Sequence, residues 1–271
     1  MFSRNKLISV FEDTIKWINT NKELSESVDN SINNTMVYFE DNYPEYTKKF
    51  DKDTVITVSK DKSFQATMRL SKDNPDKKIA VLNFANSVHP GGGVTRGARA
   101  QEESLCRTST LYPVIMDQIS ESYYAHHRKL NDKRATDSLI YSENIIICKT
   151  DDDIPKRMPK EDWVSVDIIT MASPHLAGAN GYGLVIDDSE LFDIHLNRAL
   201  HMLTVAAYKN VDILVLGAFG CGAFNNNPDV VSKAYKQALE QFKGAFEKVE
   251  FAIFCAEHET NNYLAFKKNI V

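Results

Sequence analysis

Apolar positions along this chain change their spacing several times, and each change predicts an element. From 5 to 20, Leu7, Ile8, Val10, Phe11, Ile15, Trp17 and Ile18 recur at broadly helical spacing among acids and lysines, which predicts an amphipathic helix. Residues 22–50 are polar, with Val37, Tyr38, Phe39 and Tyr43 as scattered anchors. No core-sized apolar set lies there, so 1–50 reads as a mostly helical extension packed on a main domain at 51–271. Thr54 to Val58 predicts a strand, Ser63 to Leu70 a helix or a second strand, and Ser71 to Asp76 a turn. Apolar runs at Ile79–Phe84, Leu139–Cys148, Val164–Met171, Ile213–Leu216 and Val249–Phe254 predict strands buried on both sides. Asp188–Tyr208 and Pro228–Phe246 carry long helical stripes, whereas Lys149–Asp162 has charge, two prolines and no period, and reads as a surface loop. Strands alternating with long helices predict an α/β fold, a three-layer α/β/α sandwich.

Two of these strands run into glycine loops. After Ile79–Phe84 come Gly91-Gly92-Gly93, seven further residues, and then Gln101-Glu102-Glu103 at the start of a predicted helix. After Ile213–Leu216 comes Gly217-Ala218-Phe219-Gly220-Cys221-Gly222-Ala223-Phe224, before Pro228 opens a helix. Neither is a P-loop, since no Gly-Lys-Ser/Thr follows, and the second lacks the spacing of a dinucleotide fingerprint. Glycine lets a ligand approach the backbone, and ligands in open α/β sheets sit where such loops converge at the carboxyl ends of strands. One loop can then cradle a diphosphate while the other holds a sugar. Phe219 and Phe224 are candidates for apolar faces against a ribose or base, with core filling as the alternative for Phe219.

Composition narrows the partners. The 271 residues carry 32 Lys plus Arg against 37 Asp plus Glu, a formal net charge of -5, so direct nucleic-acid binding is not expected. An anionic ligand remains compatible, because loop amides bind phosphate without formal charge. Cys106, Cys148, Cys221 and Cys255 are too dispersed for a zinc set or a disulfide framework, which predicts reduced thiols and a cytoplasmic setting. No signal peptide and no run of bilayer length is visible, so no membrane partner is expected.

Among chemically able residues, Glu102 and Glu103 stand out. Successive side chains at a helix start diverge by about 100°, so the two do not face one bond from opposite sides. A division of labour follows, one glutamate as acid and then base, the other gripping a hydroxyl. Glutamate also suits a first helical turn for stability alone, but a stabilising turn needs no triple glycine before it. His126-His127 reads as a pair of solvated histidines, Asp151-Asp152-Asp153 as a solvated turn, and Ser173-Pro174-His175 lacks a nucleophile elbow. His89 is either a ligand contact or a turn residue.

The residues Asn83-Phe84-Ala85-Asn86, Pro90-Gly91-Gly92-Gly93, Gln101-Glu102-Glu103-Ser104-Leu105, Ser109 and Leu111-Tyr112 closely resemble the microbial, bacterial-type poly(ADP-ribose) glycohydrolases, which are macrodomain proteins. The resemblance extends through Ile168–Pro174 and the 217–224 loop to Phe251-Ala252-Ile253-Phe254. It implies a macrodomain with a mixed central sheet, binding ADP-ribose. By the same resemblance Glu103 protonates the leaving ribose hydroxyl and then activates water, and Glu102 and Gln101 orient the substrate. Gly217, Ala218, Phe219, Gly220, Cys221 and Gly222 wrap the diphosphate, Phe224 lies against the distal ribose, and Asn86 with Gly91, Gly92 and Gly93 shapes the catalytic pocket. No metal and no cofactor are implied. Two departures stand: Asn83 occupies a position that holds an acid in the larger animal-type enzymes, and the tail Ala256 to Thr260 is less typical. The implied partners are ADP-ribose and poly(ADP-ribose) or ADP-ribosylated protein. The rival readings are a hydrolase of mono-ADP-ribosylated protein or nucleic acid, and a non-catalytic ADP-ribose reader.

Overall fold

The computed structural model describes residues 4–178, 183–256 and 260–271. Among these, β1 (Met36–Tyr38), β2 (Val55–Ser59), β3 (Ile79–Ala85), β4 (Leu139–Ile147), β5 (Val164–Ala172), β6 (Ile213–Leu216) and β7 (Lys248–Ala252) form one sheet. Its order is β1-β4-β5-β3-β6-β7-β2. The run from β5 to β2 is parallel, and β4 and β1 are antiparallel additions, so the sheet is mixed.

Alternate residues of β3 serve opposite faces. Ala80 and Leu82 enter a core with residues of α7 (Asp188–Tyr208), α8 (Pro228–Glu240) and α9 (Asn261–Ile270). Ile79 and Val81 enter a second core with residues of α1 (Arg4–Thr20), α2 (Lys22–Asn33), α3 (Ser63–Asp73), α4 (Gln101–Thr108), α5 (Leu111–Ile115) and α6 (Gln118–Leu130). Helices thus cover both faces, and the central strands read as unbroken apolar runs because neither side meets water. Each fully buried Leu, Ile or Phe there stabilises the layers by roughly 1.5–3 kcal/mol. The first fifty residues lay α1 and α2 on one face and supply β1, whose Met36–Tyr38 pairs with Leu139–Tyr141 at the sheet edge.

One detail of register makes the site. β3 pairs with β5 as far as Ala85↔Ala172, but with β6 only as far as Val81↔Val215. Beyond Val81 the neighbours β3 and β6 part, and both glycine loops leave from the edges of that opening.

Three expectations need correction. The stripe read as a helix to Phe246 ends at Glu240, because Gly244 adopts φ +74° and passes against the backbone of Phe50, whose N–H donates to Gly244 O at 2.9 Å. His127 is buried rather than solvated, its Nδ1 on Tyr123 O and its Nε2 on the Thr136 amide. Within the 149–162 loop, Lys149 and Asp151 are buried. Lys149 Nζ donates to Val10 O and pairs with Asp13, and Asp151 accepts from Ser104 Oγ. Long-range partners outweighed polar local composition in both cases. Of the atypical tail, residues 257–259 lie outside the described residues.

Candidate active site

The site begins where β3 loses β6. Gln101, the first residue of α4, fills that gap with its side-chain amide: Oε1 accepts from Phe84 N at 2.9 Å, and Nε2 donates to Leu82 O at 2.7 Å and to Ser63 Oγ at 3.0 Å. It thereby acts as a short splint along the strand and aims the start of α4 at the opening.

Glu102 and Glu103 are both buried, at 4% and 7% exposure. Glu102 accepts the Asn86 amide on Oε2 at 2.9 Å and the Gly91 amide on Oε1 at 3.1 Å. Glu103 Oε1 accepts the Gly93 amide at 2.8 Å, and its Oε2 is buried with no hydrogen-bond partner among the described residues. The triple glycine makes this closure possible. Gly92 sits at φ +57°, and a Cβ there would lie 2.6 Å from Glu103 Oε1 and 3.0 Å from Glu102 Oε2. Any side chain would drive both carboxyls from their amides. Asn86 holds the loop entrance, its Oδ1 accepting from Val88 N and His89 N, each at 2.9 Å. At the far end, buried Arg107 donates from Nη1 to Ala98 O at 2.7 Å, and Thr14 of α1 donates to Arg107 O at 2.6 Å.

Burial lifts the Glu102 carboxyl to about 8; the nearby Glu103 charge adds to the rise, while the amides of Asn86 and Gly91 and the Asn83 side chain oppose it. The Glu102 carboxyl therefore keeps its proton near neutral pH.

The second loop is held from behind. Gly220 has φ +77°, and a Cβ would strike Ser173 Oγ at 2.5 Å. Buried Asn226 donates from Nδ2 to Pro174 O at 2.8 Å and Phe224 O at 3.2 Å, and from its backbone to Gly220 O at 3.0 Å. Its Oδ1 lies 2.7 Å from His195 Nε2. Burial pushes the His195 ring down to about 3, so it is neutral, and Nε2 carries the proton that Asn226 accepts. Gly222 faces open space, with nothing within 4 Å of a built Cβ.

Both loops line one cleft of about 730 Å³: Asn86, Gly92, Gly93, Gln101, Glu102 and Glu103 from the first, and Ala218, Gly220, Gly222, Ala223 and Phe224 from the second. His89 lines it too. Gly91, Gly217, Phe219 and Cys221 are not among its lining residues. Gly91 supplies an amide to Glu102, and Gly217 lets Phe84 and Ala252 O approach. Phe219 is a core residue, fully buried with ring centroids 5.8 Å from Phe84 and 5.7 Å from His195. Of the two candidate rings, Phe224 is the one that lines the cleft, and it packs on His175 with centroids 4.4 Å apart.

Sequence reasoning passed over Asn226, His195, Ser63 and Arg107. The run Asn225-Asn226-Asn227 before α8 was the available signal, since polar repeats at a helix start invite a search for caps; Asn227 is the cap, accepting from Asp229 N at 3.1 Å. Among the described residues, no group of three or more His, Cys, Asp or Glu could hold a metal ion, and no helix is long and apolar enough to cross a membrane.

Comparison with known proteins returns one family model, described as the catalytic domain of microbial-type PARG, which matches residues 12–150. A search of curated proteins gave no match. The chain is similar to the crystal structure of poly(ADP-ribose) glycohydrolase from Thermomonospora curvata, at 26% identity over 98% of this chain and 99% of that one, with a TM-score of 0.84. The same enzyme bound to the inhibitor ADP-HPD matches at 26% identity, 97% and 99% coverage, and a TM-score of 0.84. The enzyme from Deinococcus radiodurans in complex with ADP-ribose matches at 31% identity over 90% of this chain and 96% of that one, with a TM-score of 0.78.

Proposed function

The chain belongs to the microbial-type poly(ADP-ribose) glycohydrolase family, and from that premise we propose that it hydrolyses the ribose–ribose O-glycosidic bonds of poly(ADP-ribose) in this cleft, releasing ADP-ribose. The reading rests above all on Glu103, whose carboxyl has one oxygen fixed by the Gly93 amide and the other buried and unpartnered in a cleft shared with the second glycine turn.

Breaking the bond at the anomeric carbon develops oxocarbenium character and needs a proton on the leaving oxygen. Glu103 supplies that proton from its unpartnered oxygen and then, as carboxylate, takes one from the attacking water. Glu102, anchored on two amides, grips ribose hydroxyls. The 217–222 turn receives the diphosphate, with Gly220 and Gly222 presenting backbone free of side chains. Negative charge held there stabilises the cationic sugar. Phe224 closes the wall beside the distal ribose. ADP-ribose is the ligand common to every reading of this site, and polymer and modified protein are the proposed sources of it.

The test is incubation with automodified polymerase, with the polymer smear followed on a gel and free ADP-ribose by chromatography. Loss of the smear with release of ADP-ribose supports the reading. Removal of single adducts alone would make it a mono-ADP-ribosyl hydrolase, and ADP-ribose binding without release from any adduct would make it a reader.

A further inference from the structure

The cleft carries a feature to which the hydrolysis proposed above gives no role. Where the chain leaves the triple glycine, a short 3-10 turn, Val94–Arg96, brings Arg96 to the cleft wall, and Arg99 lines the same wall. A Cβ built on Gly93 would lie 3.5 Å from Glu103 Oε1 and 3.7 Å from Arg96 Nη2, so carboxyl and guanidinium flank one point. Arg96 makes no hydrogen bond or ion pair through its side chain to a described residue.

The backbone beneath it is fixed. Gly97 takes φ +70° with a built Cβ 2.5 Å from Arg4 O, which presses the turn onto α1. Gly93 O accepts from both Arg96 N at 2.9 Å and Ala98 N at 3.1 Å, and Arg107 holds Ala98 O. A fixed backbone turn carrying a guanidinium with no partner among the described residues, at the wall of the cleft, suits an anionic group. The other charged rim is acidic: Asp151, Asp152 and Asp153 line it, and its cation Lys62 is engaged with Asp153 and Asp151 O.

We propose that Arg96 forms a leaving-group subsite that binds the pyrophosphate of the penultimate ADP-ribose unit. The inference rests on the polymer-cleavage reading of Glu103. In that reading the sugar being released runs from Glu103 towards the 217–222 turn, so the rest of the polymer departs past the glutamate on the side away from that turn. The leaving hydroxyl belongs to an adenosine ribose, and its pyrophosphate follows six covalent bonds later. A diphosphate therefore emerges close to the scissile oxygen, where an arginine fork suits it. The subsite adds affinity for a chain but none for a lone terminal unit.

The experiment uses the full chain with Glu103→Gln, in which slowed turnover should leave the substrate intact, and compares binding of an ADP-ribose dimer with ADP-ribose by calorimetry. With Arg96 present the dimer binds about tenfold more tightly than ADP-ribose, the range of one charge-assisted phosphate contact. Arg96→Ala reduces that ratio to near one while ADP-ribose affinity stays within about twofold, and Arg96→Lys keeps part of it. Added salt shrinks the ratio only where Arg96 or Lys is present. A dimer advantage that survives Arg96→Ala overturns the subsite, as does an equal loss for both ligands, which would make Arg96 a prop for the Glu103 loop. Equal binding of dimer and ADP-ribose before substitution also overturns it, while wild-type turnover of the polymer separately decides the function. If neither ligand binds, both readings fall.

Discussion

Glu103 receives the Gly93 amide on Oε1 at 2.8 Å, while its buried Oε2 has no partner among the described residues. An orphaned buried oxygen costs about 1–3 kcal/mol, a penalty that a hydrogen bond from a ligand hydroxyl relieves. The folded chain thus holds this carboxyl ready for a proton donor or acceptor. Glu103→Gln keeps the oxygen that meets Gly93 and removes the transferable proton. Turnover of polymer should fall by about 10²–10⁴-fold, the usual contribution of general acid–base help, with ADP-ribose affinity within a few-fold. Single-turnover kinetics beside calorimetry checks this; wild-type rates in the variant would remove Glu103 from the mechanism.

Gly92 is the residue whose side chain the site cannot admit. Gly92→Ala places a methyl 2.6 Å from Glu103 Oε1 at φ +57°. Backbone strain of about 1–3 kcal/mol should lower the melting temperature, and displacement of both carboxyls should cut turnover by at least about 10²-fold. An active, equally stable Gly92→Ala protein would show that the loop and glutamates need not meet this closely.

Titration of Glu102 should appear in stability. Its folded value of about 8 lies above the ordinary glutamate value of 4.5, so the native state holds a proton that the unfolded chain releases at lower pH. Stability from this group is fully present below about 4.5 and declines as pH rises towards 8. Glu102→Gln should therefore flatten the fall of melting temperature across that window, a difference of up to roughly 5 kcal/mol at the alkaline end. Thermal scans across the window decide it. An unchanged slope would mean that another group carries the proton.

Asn226 should link stability and binding. Asn226→Ala removes the contacts to Pro174 O, Phe224 O and His195, and should destabilise the fold by about 2 kcal/mol. The second glycine turn loses its backing at the same time, so ADP-ribose affinity should fall about tenfold, measured by calorimetry well below the melting temperature. A fall in stability with unaltered affinity would show that the turn holds itself.

Phe219 and Phe224 should separate by assay. Phe219→Ala opens a cavity between Phe84 and His195 and should destabilise by about 3–5 kcal/mol. Phe224→Ala, at the cleft wall, should instead weaken ADP-ribose binding with a smaller stability change. Equal stability losses from denaturant melts would undo this division.

Much of this molecule was written in local patterns. Unbroken apolar runs marked β3, β5 and β6, helical stripes marked α1 and α7, and the two glycine stretches marked where strands release the chain for a ligand. These features are legible because a buried strand, an amphipathic helix and a left-handed glycine each impose a requirement on nearby residues alone. Glu102 and Glu103 were equally visible as acids opening a helix after glycines.

Tertiary structure decided what those residues touch. That Gln101 splints β3, that Phe219 fills the core while Phe224 borders the cleft, and that Asn226 backs the glycine turn all depend on strand order. His127 and Asp151 read as solvated because their neighbours in the chain are polar, yet Thr136 and Ser104 bury them from elsewhere. Local sequence encodes backbone preference and period. Which oxygen finds an amide, and which is buried without a partner, is settled only when segments distant in the chain pack side by side.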